Sequence, residues 1–388
     1  MKILHVCLCG AVFNEKYAYQ DNLLTKYHKK LGHDVTIIAP TYSEYGGDDG
    51  GIISAPAGVS VINDGIQLIR LKPALPVRLN QSFHIFWGLE RAVNGINPNI
   101  IFVHGVTSLN YRIWNRYKRK HPEVKMAYDN HADYENSCHN IITLFYSKYI
   151  IREFVVKKLL ATSDFFYGVT PARCDFLKEM YGVPPAKIHL LPMGADDEEM
   201  LIEQRHNIRK DVRKQYGVKD DEFLIVTGGK IDPLKNIHVL AQAVSQSSFS
   251  KIKILIFGSV REDLKDTFDK LKSDRVILIG WQPSNQVYRF FYAADLVMFP
   301  GLHSVLWEQA VASQVPCAFS RIKGFEHVDI GGNCVLMEEK TSNYYLSLIE
   351  NIYTNKDFYK GLQANADSSR AHQFLYSNIA KRVINDLK

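Results

Sequence analysis

Two lysines five residues apart, and one glutamate behind a short polar loop, are the side chains here with the plainest chemistry. Lys230 and Lys235 flank Asp232-Pro233, directly after the apolar run 223–227 and the pair Gly228-Gly229. Two ammonium groups at a strand end can meet a diphosphate; at ~4 Å and an effective dielectric near 20, one such contact is worth on the order of 4 kcal/mol before desolvation. The glycine pair lets backbone approach a ligand closely. The second piece runs from the apolar Leu296–Phe299 through Pro300, Gly301, Leu302 and His303 to a helical pattern opening near Ser304 and carrying Glu308. Ser304 is a candidate N-cap, and the first turn of a helix presents unpartnered N–H groups and a dipole that favour an anion by roughly 0.3–2 kcal/mol. Glu308 sits among Trp307, Ala310 and Val311, so its carboxylate needs partners. Two adjacent ribose hydroxyls would satisfy it; a solvent-facing glutamate and an ordinary surface lysine pair are the competing readings.

Elements must hold these groups in place. The apolar runs 3–8, 35–39, 100–103, 125–128 and 165–169 alternate with helical patterns, and the alternation restarts after residue 222 with runs at 223–227, Ile252–Phe257, 276–279, Leu296–Phe299 and Cys317–Ser320. Strands alternating with helices imply parallel sheets covered on both faces. A chain of 388 residues exceeds one ordinary core. The division is expected in the polar stretch at about 196–206, giving domains 1–200 and 201–370, with 371–388 a helix returning to the first domain. In doubly wound sheets ligands sit beyond the carboxyl ends of the strands, where both pieces above fall. Together they fit a sugar nucleotide.

Composition narrows the classes. With 46% apolar and 23% charged residues the chain is globular. A net charge of +6 without a nucleic-acid motif gives no reason to expect DNA or RNA. Six scattered cysteines fit neither a disulfide scaffold nor a Cys-rich zinc site, and they read as reduced thiols in a cytoplasmic protein. The start, MKILHVCLCG, reads as a buried strand rather than a signal peptide, and no run of 18 apolar residues is present to span a membrane. Two basic stretches, 112–125 and 148–160, carry apolar residues as well. They read either as ordinary domain helices or as a surface for anionic lipid on the inner face of the cell membrane.

The segment 226–236, VTGGKIDPLKN, resembles the donor-binding loop of the family 4 retaining glycosyltransferases, and 293–317 resembles that family's acidic motif. Gly32-His33-Asp34-Val35, Leu191-Pro192-Met193-Gly194-Ala195-Asp196 and Ile279-Gly280-Trp281-Gln282-Pro283 are similar to further family segments in the same order. The resemblance covers nearly the whole chain, most strongly 223–320. It implies the GT-B fold, two Rossmann-like α/β domains facing each other, and transfer of a sugar from a UDP- or GDP-linked donor, with no other cofactor and no metal, to a glycan or lipid-linked acceptor. Bacterial surface polysaccharide is the setting it implies.

By position, Lys235 would bind the diphosphate and Lys230 would stand where arginine is usual, keeping the charge but losing the bidentate fork. Glu308 would hold the ribose, Trp281 and Gln282 would lie by the base, and His303, Ser304 and Val305 would offer N–H groups to the distal phosphate. Gly229, Gly258 and Ser259 would border the nucleotide. His131 matches the family's histidine that lines the cleft near the reacting sugar and is counted with Lys230 and Lys235 as catalytic; on the acceptor side Asp129 and Asp133 are placed to orient it, with Glu135 a weaker candidate and His104 a further one. Two departures stand out. Pro300 replaces the first glutamate of the family's pair, so that either His303 substitutes for it or the sugar is held differently. Cys9-Gly10-Ala11 replaces the usual Gly-Gly loop, with Gly10 still permitting close approach. An inactive nucleotide-sugar-binding homologue and a sugar-nucleotide epimerase remain as alternatives. A two-domain solute-binding protein is disfavoured because no export signal is present.

Overall fold

The computed structural model describes residues 1–9, 13–14, 18–43, 54–138 and 140–388. The chain forms two compact units, Met1–Pro192 together with Ile379–Lys388, and Met193–Asn378. The division thus falls earlier than the expected 200. Residues 193–200 sit with the second unit because Ala195 N donates to Phe374 O at 2.8 Å, Asp196 N donates to the Tyr288 hydroxyl at 2.9 Å and Met200 is buried. The returning segment is correspondingly shorter than 371–388, since Ala371 and Phe374 are buried within the second unit.

The first unit is built on eight strands: β1 (Lys2–Val6), β2 (Asp34–Pro40), β3 (Gly58–Ile62), β4 (Ile66–Leu71), β5 (Ile100–His104), β6 (Lys125–Asn130), β7 (Phe165–Gly168) and β8 (Ile188–Leu190). Their order is β3-β4-β2-β1-β5-β6-β7-β8. Every pairing is parallel except β3 with β4. The central strands are buried end to end, as in IIFVH of β5, which is why they read as unbroken apolar runs. The edge hairpin β3–β4 escapes that signature. Val59 and Val61 stand exposed, and β4 alternates rather than runs. The core gathers Trp114, Tyr128, Phe166, Phe176 and Tyr181 beneath the sheet.

The second unit carries β9 (Phe223–Gly228), β10 (Ile252–Phe257), β11 (Val276–Gly280), β12 (Leu296–Phe299), β13 (Cys317–Ser320) and β14 (Cys334–Met337) in the order β11-β10-β9-β12-β13-β14, all parallel. An acid-base cluster pins β9 and β12 at their starts. Asp295 accepts from Arg209 Nη2 at 2.7 Å, from Arg213 Nη1 at 3.1 Å and from Leu224 N at 2.7 Å. Strand order reverses between β1 and β5 in the first unit and between β9 and β12 in the second. Such a reversal opens a crevice at the carboxyl ends of the strands, the ordinary place for a ligand in an open parallel sheet.

Candidate functional site

In the second unit the crevice is framed by the ends of β9 and β12. Beyond β9 the chain turns through Gly229, whose φ is +107°. Gly258, beyond β10, has φ +123°, and a Cβ there would stand 1.8 Å from Gly229 O. Only glycine lets these two strand ends lie against each other. Gly301 plays the same part across the crevice, since a Cβ would come within 2.3 Å of Lys235 Cα. The loop after β12 therefore rests on the turn that carries Lys235.

That turn is built locally. Asp232 caps it by accepting from Leu234 N at 3.0 Å and Lys235 N at 3.2 Å, and Pro233 occupies the first helical position. The Lys235 ammonium points inward and donates to Leu302 O at 2.7 Å and His303 O at 3.2 Å. Burial lowers its pKa, opposed by the nearby Asp232. Beside it lies a small recess lined by Gly228, Lys235, Pro300, Gly301, Leu302 and Ser304. Lys230, by contrast, is exposed.

Ser304 does not cap a helix. The helix is Leu306–Ala312, its cap residue is Val305 in helical conformation, and no side chain caps it. Ser304 instead contributes its carbonyl, which accepts from Trp307 N at 3.0 Å. Glu308 is neither solvent-facing nor free. It is fully buried, and its Oε1 meets His303 Nε2 and His327 Nε2, both at 2.9 Å, with Oε2 at 3.1 Å from His303 Nε2. Burial pushes its pKa up, but the two imidazoles hold it down to about 2. His303 thus stands on the carboxylate, and a ribose reaches Glu308 only by displacing it. His327, in the turn Glu326–Val328, escaped the sequence reading because 19 residues separate it from Glu308 and no local pattern links them. Of the residues expected by a base, Trp281 is 69% exposed just beyond β11. Gln282 Nε2 donates to Ile279 O at 3.0 Å, and Ser259 is exposed while its carbonyl accepts from Ile231 N.

The acceptor-side candidates lie in the first unit at the ends of β5 and β6. His104 Nδ1 meets Asp129 Oδ2 at 2.8 Å, and Gly105 N donates to Asp129 Oδ1 at 2.8 Å. His131 Nε2 is 3.7 Å from the same Oδ2, with its side chain 45% exposed. Asp133 does not orient His131. It caps the short helix Tyr134–Ser137 by accepting from Asn136 N and pairs with Arg173 Nε at 3.3 Å. Gly10 lies outside the described residues. Glu135 is exposed on that short helix.

Behind His104 the structure adds two histidines absent from the sequence reading. His5 Nδ1 meets His104 Nε2 at 3.1 Å, His5 Nε2 meets His28 Nδ1 at 2.9 Å, and His28 Nε2 donates to Ala380 O at 3.2 Å. The row has a carbonyl at one end and a carboxyl group at the other. Its four hydrogen bonds need four protons, whereas three neutral imidazoles bring three. Filling all four would take one proton more than three neutral rings bring, and the Asp129 carboxylate favours it on His104. Burial depresses His104, but Asp129 raises it above its ordinary value. Burial opposes ionisation of Asp129, yet His104 and His131 hold it well below the usual carboxylate range. Burial drives His5 far down and His28 down to about 3.

Two parallel α/β units, each with a crevice at a strand-order reversal, one offering a half-buried ammonium and glycine-lined backbone, define a two-domain α/β class of protein with room for an anionic ligand. The model for Glycosyltransferase Family 4 matches residues 22–199, and that for Glycosyl transferases group 1 matches residues 208–369. The chain belongs to this group 1, family 4 glycosyltransferase family, with the GT-B fold. It is 22% identical over 217 residues to an uncharacterised glycosyltransferase of Methanocaldococcus jannaschii, covering 54% of this chain and 56% of that one. It is 24% identical over 234 residues to a lipopolysaccharide 1,2-N-acetylglucosaminetransferase of Salmonella typhimurium, covering 55% and 60%. These alignments span less than two thirds of the relatives' length. Among solved structures, Anabaena HepE in complex with UDP and glucose superposes with a TM-score of 0.65 at 14% identity, over 100% of this chain and 99% of that one. At that identity the likeness speaks for the fold.

Proposed function

We propose that the protein is a retaining glycosyltransferase that moves a sugar from a UDP- or GDP-linked donor to a hydroxyl of a glycan or lipid-linked acceptor, in surface polysaccharide synthesis. The observation that carries this reading is Lys235, a half-buried ammonium at the switch point of the second unit, aimed at a recess walled by backbone. A diphosphate taking the place of the Leu302 and His303 carbonyls would meet that charge. Exposed Lys230 would add a second cation from solvent, and Ser304 and Val305 their N–H groups. As the bond from the anomeric carbon to phosphate breaks, negative charge grows on the leaving oxygen. Fixed cations there lower the barrier more than they tighten ground-state binding. The acceptor hydroxyl attacks from the face the diphosphate leaves, which takes up the proton, and configuration is retained without a protein nucleophile. The lysines supply the charge a metal would otherwise bring to the diphosphate.

Ribose would bind Glu308 after His303 swings away, with Trp281 and Gln282 at the base and Gly229, Gly258 and Ser259 along the nucleotide. In the first unit, His131 backed by Asp129 and His104 is assigned to acceptor recognition. Incubation with a panel of sugar nucleotides tests the reading. Slow release of free sugar from one donor is expected, and Lys235→Ala should lower it at least ~100-fold, as for loss of one preorganised charge donor. Epimerised sugar, or binding without turnover across the panel, would point to the other readings, and near-normal turnover in Lys235→Ala would remove Lys235 from its role.

Association with a membrane surface is supported by the helical run Ile141–Phe145 and Tyr146–Val156. Ile141 and Ile142 are 81% and 75% exposed, and Phe145, Tyr149 and Phe154 are also bare. Lys148, Lys157 and Lys158 lie in the same run. Among the described residues no helix is long and apolar enough to cross a membrane.

A further inference from the structure

We infer that His303, Glu308 and His327 form a binding site for a divalent transition-metal ion of the zinc class. One nitrogen of each imidazole and one oxygen of the carboxylate lie within 4.8 Å of one another, contributed by a loop, a helix and a separate turn. The nitrogen–oxygen separations of 2.9 to 3.1 Å are a few tenths of an ångström short of the roughly 3.3–3.6 Å between neighbouring ligands of a tetrahedral ion bound at about 2.0–2.2 Å, so small side-chain shifts would admit one. The three side chains are 5%, 0% and 6% exposed.

Their surroundings are apolar. The His303 ring packs on Phe325 at 4.6 Å and edge-on to Trp307 at 5.2 Å, and the His327 ring lies 6.1 Å from Phe374. Polar donors converging inside an apolar shell are the ordinary environment of a bound ion, because the shell limits water and strengthens each bond. His327 Nδ1, moreover, is buried without a hydrogen-bond partner among the described residues. An ion would engage this ring through Nε2 and leave Nδ1 as the protonated nitrogen.

The donor set selects the ion. Two imidazoles and one carboxylate suit zinc, cobalt or nickel, whereas magnesium and calcium prefer oxygen ligands throughout. Binding needs the Nε2 lone pairs, so each ring would carry its remaining proton on Nδ1, and affinity would fall as pH falls. The ion would occupy the carboxylate assigned above to ribose, so ion and donor would exclude each other at Glu308. The site itself does not rest on the donor reading, and its test uses metal alone.

Chelator-stripped full-length protein is titrated with cobalt chloride. One equivalent is expected to develop the visible absorption of a low-symmetry cobalt site, and zinc should bleach it. His327→Ala should weaken binding at least roughly 100-fold, because loss of an outer partner alone costs about 10–100-fold. His206→Ala, an exposed histidine elsewhere in the same unit, should leave it unchanged. No cobalt spectrum in the wild type, or an unaltered one in both variants, would overturn the site. Should His327→Ala fail to fold, anomalous difference density in zinc-soaked wild-type crystals decides. A peak among the three side chains is expected, and a peak only elsewhere refutes the inference. Sugar-nucleotide hydrolysis in the chelator-stripped protein is read separately, so failure of the donor reading leaves a different trace.

Discussion

At the scale of single residues, the histidine row in the first unit has the sharpest consequence. Buried neutral His5 and His28 have folded pKa values far below the unfolded value of about 6.5. Their contribution is therefore complete above that value and is lost as pH falls below it, because the unfolded chain then takes up protons that the native row refuses. His104 has the opposite sign. Its raised pKa contributes stability below about 6.5 that is lost as pH rises through the folded value. Below about 6.5 the unfolded chain takes up protons that His5 and His28 refuse, and stability should fall by up to about 2.7 kcal/mol per pH unit from these two groups. Calorimetric Tm values between pH 8 and 5.5 check this, and His28→Gln should flatten the acid limb. A profile unchanged by that substitution would contradict the assignment. His5 illustrates why the row is hard to see in advance. Within KILHV it reads as one polar position in a buried strand, and its partners are 23 and 99 residues away.

At the scale of elements, the strand ends around the donor crevice depend on backbone contact that side chains would block. Gly258 combines φ +123° with a virtual Cβ 1.8 Å from Gly229 O. Gly258→Ala should cost roughly 2–5 kcal/mol through strain and overpacking, read as a lower urea midpoint with an unchanged slope. A loss below about 1 kcal/mol would mean that the turn relaxes freely. The sequence points to this place, because glycines after apolar runs mark close approach. It does not reveal the start of the neighbouring helix. Ser304 has the chemistry of an N-cap, yet the loop is pinned by Lys235 on the Leu302 and His303 carbonyls and the helix begins at Leu306. Asp133 went the other way. It looks like an orienting acid for a histidine, and the fold uses it as a cap and as a partner for Arg173.

At the scale of the whole molecule, the bare apolar tip at Ile141, Ile142 and Phe145 with its basic followers bears on where the protein works. Full-length protein should float with vesicles rich in anionic lipid, and replacing Ile142 and Phe145 by serine should abolish flotation with the fold intact. Absence of wild-type flotation would remove the membrane from the reading. The sequence alone determined the class of this protein. Buried parallel strands must be nearly continuous in apolar residues and strand ends must carry glycine and polar loops, so alternation and motif order are local and legible. What only the tertiary structure decided is which polar groups meet. Hydrogen bonds and charge pairs act over a few ångströms, and it is the packing of distant segments that brings His327 onto Glu308, lines His28 and His5 up behind His104, and turns Lys235 toward the loop after β12.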